Sequence, residues 1–228
     1  MRNATNGFNK IRRCVGRNLG TIVIAGMGPG YELALVKQLW PHVKLIAVEM
    51  NPITIAIAKR RGRLSHVDHF FHTALWSDVR DVEFCLSGES SCILEAQDIN
   101  VPEPCTIRSM TLDILREQSQ PWPEPILLWL DCEGSERYIL PAMSYKPKFI
   151  NLEMGITRIL PNMWSALELW NYMTSINYEA IIGHSFSRFG IGMDMLFRYI
   201  ENKDMSKAVK RTEQKHTKSH LNYMKLLK

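Results

Sequence analysis

Residues 126–140 read ILLWLDCEGSERYIL, and the rest of the chain can be ordered around them. Five apolar residues, Ile126 to Leu130, run straight into Asp131, Cys132, Glu133 and Gly134. A short, uninterrupted apolar run that stops at turn residues is a strand buried on both faces, as in a parallel sheet. A helical pattern then starts at Ser135. In open α/β sheets, ligands bind beyond the carboxyl ends of such strands. Asp131 and Glu133 therefore fall on the rim of a site, with Gly134 allowing backbone to approach closely. A carboxylate beside a buried strand is costly unless it has a partner or a task.

Working upstream, Thr21–Ala25 (TIVIA) is a β-branched apolar run of strand type that opens into Gly26-Met27-Gly28-Pro29-Gly30. A helical pattern over residues 31–40 stops at Pro41. Lys44 to Val48 is a second buried strand that closes on Glu49. Asn51-Pro52 starts a helix through Arg61, with Asn51 as N-cap and Pro52 at the first helical position. Residues 66–72 give a third strand. This alternation of strand, glycine turn, helix, strand, acid, helix and strand predicts the first half of a doubly wound, mostly parallel α/β sheet. Right-handed crossovers place its strands in the order 3-2-1.

Residues 73–104 are less regular, with a strand at 82–86 and a polar loop at 87–91 of the kind that covers sites. A strand at 106–110 and a helix at 111–118 follow, and Pro121, Pro123 and Pro125 stiffen the connection into the central strand. Downstream, the pattern predicts a helix at 135–143, a strand at 148–153 ending in an acid, and a helix at 162–176. Met163, Leu167, Trp170 and Met173 lie at helical spacing on that last helix and are expected in the core. Final strands fall at 178–182 and 193–199, and the loop between them carries His184 and Arg188.

The 228 residues, 46% apolar, fit one globular domain with a substantial core. That domain is expected at 20–202, between a basic lead-in (1–19, with a short helix near 9–17) and a basic tail (203–228). Residues 1–20 hold five Lys/Arg and no acid, and residues 203–228 hold eight against Asp204 and Glu213. The intervening 21–202 is net −6. Solvated termini are the expected reading of such ends, and nucleic acid is not the expected partner of the body. No apolar run approaches the ~20 residues of a membrane span. Five cysteines without a CxxC pair point to a reducing cytoplasm. His66, His69 and His72 are ligand-type residues, but strand alternation puts 66 and 72 opposite 69, so no metal site is expected.

The GxGxG turn discriminates among nucleotide-using folds. The dinucleotide pattern GxGxxG would want glycine at 31, where Tyr31 stands. The P-loop pattern is missing, whereas GxGxG turns are common among enzymes that use S-adenosyl-L-methionine (SAM). Glu49, at the end of the second strand, is placed to accept the ribose hydroxyls of an adenosyl group.

Together these segments resemble the FkbM family of SAM-dependent methyltransferases. The family's most specific stretch, an apolar run followed by (I/V)D(V/I)EGxE and a later (V/I)L, is matched by Leu130-Asp131-Cys132-Glu133-Gly134-Ser135-Glu136 and Ile139-Leu140. Thr111-Leu112-Asp113 matches its TLD segment, Ala74-Leu75-Trp76-Ser77-Asp78 its turn after the third strand, and Asp194–Phe197 its late D-x-L-F strand. Ile24 and Trp129 stand where the family commonly has an acid and a lysine.

The resemblance implies a seven-stranded sheet of order 3-2-1-4-5-7-6 and SAM as cofactor. It implies cofactor contacts at Gly26, Met27, Gly28, Gly30, Glu49, Met50, Ala74, Leu75 and Asp131, and substrate contacts at Glu136, His184 and Arg188. It also implies O-methylation of a small-molecule or glycan-like hydroxyl, with Asp131 or Glu133 as the base. The competing expectation is a non-catalytic protein of the same fold that holds a polyanion with its basic ends.

Overall fold

A computed structural model describes residues 2–87, 91–98, 100–155, 164–184 and 192–201. Seven strands form the main sheet: β1 (Thr21–Ala25), β2 (Lys44–Glu49), β3 (His69–His72), β7 (Ile126–Leu130), β8 (Phe149–Gly155), β9 (Tyr178–His184) and β10 (Gly192–Tyr199). They lie in the order β3-β2-β1-β7-β8-β10-β9. Counted within this sheet alone, that is 3-2-1-4-5-7-6, the order expected. β1, β2, β3, β7 and β8 pair in parallel, and β10 runs antiparallel between β8 and β9. A second sheet joins β4 (Ala74–Leu75), β5 (Asp81–Phe84) and β6 (Cys105–Met110) in the order β4-β6-β5.

The central strands are apolar throughout because both of their faces are covered. All five residues of β1 and all five of β7 are buried. Alternate side chains feed two cores. One holds Val23, Ile46, Leu128, Ile150 and the inner faces of α5 (Leu112–Gln118) and α7 (Ala166–Ser175). The other holds Ile22, Leu45 and Leu127 beneath α1 (Arg2–Val15), α2 (Leu33–Leu39) and α3 (Pro52–Arg60). Each such side chain contributes roughly 1.5–3 kcal/mol by leaving water.

The start of α3 follows its sequence signals. The Asn51 side chain accepts from the Ile53 N–H at 2.8 Å, and Pro52 takes the first turn, where its missing donor costs nothing.

Several segments differ from the sequence reading. The N-terminal helix spans Arg2–Val15 rather than 9–17, and it is packed rather than solvated at Phe8, Ile11 and Val15. Its basic residues sit between apolar ones spaced for one helical face, which is buried against β1 and β7. Phe8 stacks on Trp129 with ring centroids 4.5 Å apart. Ile24 and Trp129 are register partners on that same face, so the helix accounts for apolar residues at both positions.

The third strand begins at His69. His66 instead closes a short 3-10 turn (Arg63–His66), because Asp68 is tied to β2 by its N–H to the Leu45 carbonyl (2.8 Å) and its carboxylate to the Leu45 N–H (2.7 Å). The helix after β7 is short, α6 (Glu136–Ile139). On α7, Met173 is buried as expected, but Leu167 is 69% exposed and Leu169 faces the core in its place. The capping box of Ser165 and Glu168 fixes where this helix starts, and Leu169 and Met173, four residues apart, share its buried face. Met163 and the tail 203–228 lie outside the described residues. Among the described residues, no helix is long and apolar enough to cross a membrane, and no cluster of His, Cys, Asp and Glu could hold a metal ion.

Candidate functional site

A cleft opens at the carboxyl ends of β1, β2 and β7, where the strand order reverses around β1. It encloses about 540 Å³ of space, part of it open to solvent. Its walls are Gly26 from the glycine turn, Glu49 and Met50 after β2, Thr73 to Leu75 after β3, and Asp131 to Glu133 after β7. Ser91 and Ile93 close one side. The sequence thus brought Gly26, Glu49, Met50, Ala74, Leu75, Asp131 and Glu133 to one place.

Each glycine of the turn has its own reason. A Cβ on Gly26 would stand 1.7 Å from the Asp131 carbonyl oxygen, so this glycine lets the ends of β1 and β7 close on each other. Gly28 has φ +52° and open space where a side chain would be, and its N–H donates to Glu49 Oε2 at 2.7 Å. Gly30, at φ +74°, closes the turn through its N–H to the Met27 carbonyl at 2.9 Å. Met27 does not face the cleft. It is 3% exposed and packs into the core beneath α2 and α3.

Glu49 is the anchor of the site. It is 6% exposed, and its second oxygen accepts from the Asn51 N–H at 2.8 Å. Burial raises its pKa, and the backbone donors of Asn51 and Gly28 act in the opposite direction. Asn51 also donates from Nδ2 to the Ser91 hydroxyl at 2.8 Å, which ties the polar loop to the cleft wall. That loop is pinned again where Cys85 and Cys92 stand with sulfurs 3.2 Å apart.

The acids after β7 are held differently. The Asp131 N–H extends the ladder to the Ala25 carbonyl at 3.0 Å, and its side chain is exposed. Glu133 is half-buried and adopts φ +51°, a left-handed conformation unusual for a residue with a side chain. Gly134 follows at φ +94°, so two successive residues turn left-handed. Two buried side chains brace this turn. Glu136 folds back so that its carboxylate accepts from the Cys132 N–H (2.6 Å) and the Gly134 N–H (2.9 Å). Gln97, fully buried in α4 (Leu94–Gln97), donates from Nε2 to the Glu133 carbonyl, and a Cβ on Gly134 would stand 2.8 Å from that nitrogen.

Glu136, expected against a substrate, is therefore turned into the protein. Burial and the neighbouring carboxylates of Glu136, Asp131 and Glu49 push the Cys132 thiol well up, so it stays neutral and is a poor nucleophile. The His184 side chain and Arg188 lie outside the described residues. Gln97 and Ser91 are the residues that sequence reasoning missed. Ser91 carried a signal in the polar loop expected over the site. Gln97 sits in a stretch without periodicity and carried none.

Comparison with known proteins places this architecture. Over 88% of its length the chain superposes on TrmK of M. capricolum, solved in complex with S-adenosyl-homocysteine, with a TM-score of 0.51, 11% identity and 73% of that chain covered. The N-terminal domain of human METTL16, also solved with S-adenosyl-homocysteine, matches over 88% with a TM-score of 0.50, 10% identity and 72% covered. The METTL16 methyltransferase domain gives 0.52 and 11% over 88% of this chain and 68% of that one. The chain has their fold. No family model matches it, and no curated protein matches it.

Proposed function

We propose that the protein is a SAM-dependent methyltransferase that methylates a hydroxyl group on a small-molecule or glycan-like acceptor, as the resemblance to the FkbM family implies. The observation that carries this reading is Glu49. A buried carboxylate at the end of β2, facing a cleft and steadied by the Gly28 N–H, suits a ligand rich in vicinal hydroxyls. Each of its oxygens already takes one backbone N–H and retains a second lone pair for a ribose hydroxyl. The open space at Gly28 and the apolar Met50, Ala74 and Leu75 provide room and contact for the rest of an adenosyl group. The residues present fit the cofactor. When bound, SAM supplies an electrophilic methyl group.

The chain's own contribution is placement and proton transfer. Asp131 sits at the cofactor edge of the rim, next to Gly26. Glu133 stands further out, and its backbone is fixed by Gln97 and Glu136. A hydroxyl is a weak nucleophile at neutral pH, so a fixed carboxylate that takes its proton contributes directly, on the order of 10²–10⁴-fold. We assign that role to Glu133 and an orienting role to Asp131. Glu136 and Gln97 act through the backbone of the turn. The unit that carries the activity includes the packed part of the N-terminal helix from Phe8 onward.

Calorimetric titration of the purified protein with SAM, with NADH in parallel, tests the reading. Saturable SAM binding that is lost in Glu49→Ala is the expected result. A folded protein that ignores SAM would overturn it.

A further inference from the structure

Charge follows position in the fold. Residues 1–72 hold 11 Lys/Arg against 3 Asp/Glu, net +8, whereas residues 73–201 hold 9 against 18, net −9. The first segment supplies α1, α2, α3 and the 3-10 turn. Those three helices cover one face of the sheet through Phe8, Ile11, Leu33, Val36, Ile55 and Ala58. Of its three acids, Glu49 is buried in the cleft and Asp68 holds Lys37 at 2.7 Å. The outer surface of this layer exposes Lys10, Arg13, Arg17, Lys59, Arg60 and Arg61, and none of the six makes an ion pair with a described residue.

Beside the glycine turn of the cleft, Tyr31 is 58% exposed. The Arg63 guanidinium lies over its ring, 4.2 Å from the centroid, and donates to the Pro29 carbonyl at 2.8 Å. A flat, exposed ring held by an arginine, on a layer whose exposed cations make no ion pair with a described residue, offers stacking and phosphate neutralisation together. Interaction with the helix dipole accounts for Lys59 and Arg60 in the last turn of α3. It applies equally to Arg13 in the last turn of α1, but it does not account for Lys10 or for the Tyr31–Arg63 pair.

We propose that this face binds single-stranded nucleic acid, with the α1 and α3 cations against the phosphates and Tyr31 stacked on an unpaired base. Two observations favour this over an anionic membrane. Arginine predominates, and its planar fork matches phosphate oxygens two at a time. The apolar face of α1 that would have to enter a bilayer is buried on β1 and β7. The inference does not rest on the methyltransferase reading, since neither the cations nor Tyr31 needs the cofactor.

The test is fluorescence anisotropy of a labelled, mixed-sequence RNA of about 20 nucleotides with the full chain, repeated across salt concentrations. Combined Lys59→Ala, Arg60→Ala and Arg61→Ala should weaken binding at least ~10-fold and lower the log–log salt slope by about 2. Tyr31→Ala should weaken binding by ~5-fold or more without changing the slope, and Tyr31→Trp should retain it. The basic tail cannot mimic this split, because it is identical in every variant. All three cations and Tyr31 are exposed, and a cooperative thermal melt with the parent's circular dichroism verifies the fold. Equal RNA binding by the triple variant would overturn the proposal. So would binding to phosphatidylserine vesicles by a parent protein that ignores RNA.

Discussion

Two strands end in acids on the same cleft, and the chain treats them in opposite ways. At the end of β2, Glu49 is buried, and its side chain is fixed by two backbone N–H groups while the chain around it stays ordinary. At the end of β7, Asp131 is exposed and Glu133 half-buried, and it is the backbone that is fixed, in two consecutive left-handed residues braced by Gln97 and Glu136. A side chain locked in place suits holding a ligand. A carboxylate carried on a locked backbone, at the more open side of the cleft, suits proton transfer. Under the proposed function, the contrast would separate binding from chemistry within one cleft.

The contact that joins the two loops should be the most sensitive. Gly26→Ala places a methyl group against the Asp131 carbonyl and adds a left-handed alanine, so both loops should shift together. A loss of about 3 kcal/mol or more in urea unfolding, with SAM binding abolished, is expected. A variant that keeps near-parental stability would break the link.

Next is Glu49→Ala, which should weaken SAM binding by about 10–100-fold if one or two charged hydrogen bonds are lost. Glu133→Gln should leave that binding within about threefold while transfer fails, and Asp131→Asn, at the cofactor edge, should weaken binding by an amount between the two. Equal loss of binding in all three would erase the distinction.

Glu49 also sets a pH signature. Its folded pKa lies above the unfolded value, so the folded state holds the proton more tightly. Stability linked to this group is therefore present at low pH and lost as pH rises through the raised pKa, in the window above 4.5. The difference in urea midpoint between the parent and Glu49→Ala should change in that window in the parent's disfavour. A flat difference would mean that the carboxyl is not desolvated.

Gln97→Ala removes a buried donor and should cost about 1–3 kcal/mol, leaving the Glu133 carbonyl without that bond. SAM affinity should fall less than with Glu49→Ala. The smallest effect belongs to Glu133→Gly, which relieves a left-handed side-chain residue. It should stabilise the fold by up to about 1 kcal/mol while abolishing transfer. Destabilisation by this change would show that the Glu133 side chain, and not only its backbone, supports the turn.

The two loops were unequally legible. Apolar runs that stop at Glu49 and Asp131 announced the strands and the rim, and the strand order followed from right-handed crossovers and the family resemblance. Asn51-Pro52 fixed the start of a helix because both act through local backbone chemistry. What could not be read were contacts across the sequence. Glu136 looks like a residue facing outward, yet it turns back onto the N–H groups of Cys132 and Gly134. Gln97 reaches Glu133 across 36 positions from a stretch without periodicity. The cations of α1 masked the apolar spacing of Phe8, Ile11 and Val15, and Leu167 misled because Leu169, four residues before Met173, shares its buried face instead.

The Phe8–Trp129 stack has a consequence in time. The two residues lie 121 positions apart, and β1 can complete its pairing only when β7 has been made. At about 5–20 residues per second, the ribosome leaves the apolar face of α1 waiting roughly 6–24 seconds for its partner strand. During that interval β1 and α2 can cover part of the helix, while the surface of Phe8 that meets Trp129 has no partner. The packing of the N-terminal helix is thus completed by a strand from the second half of the chain.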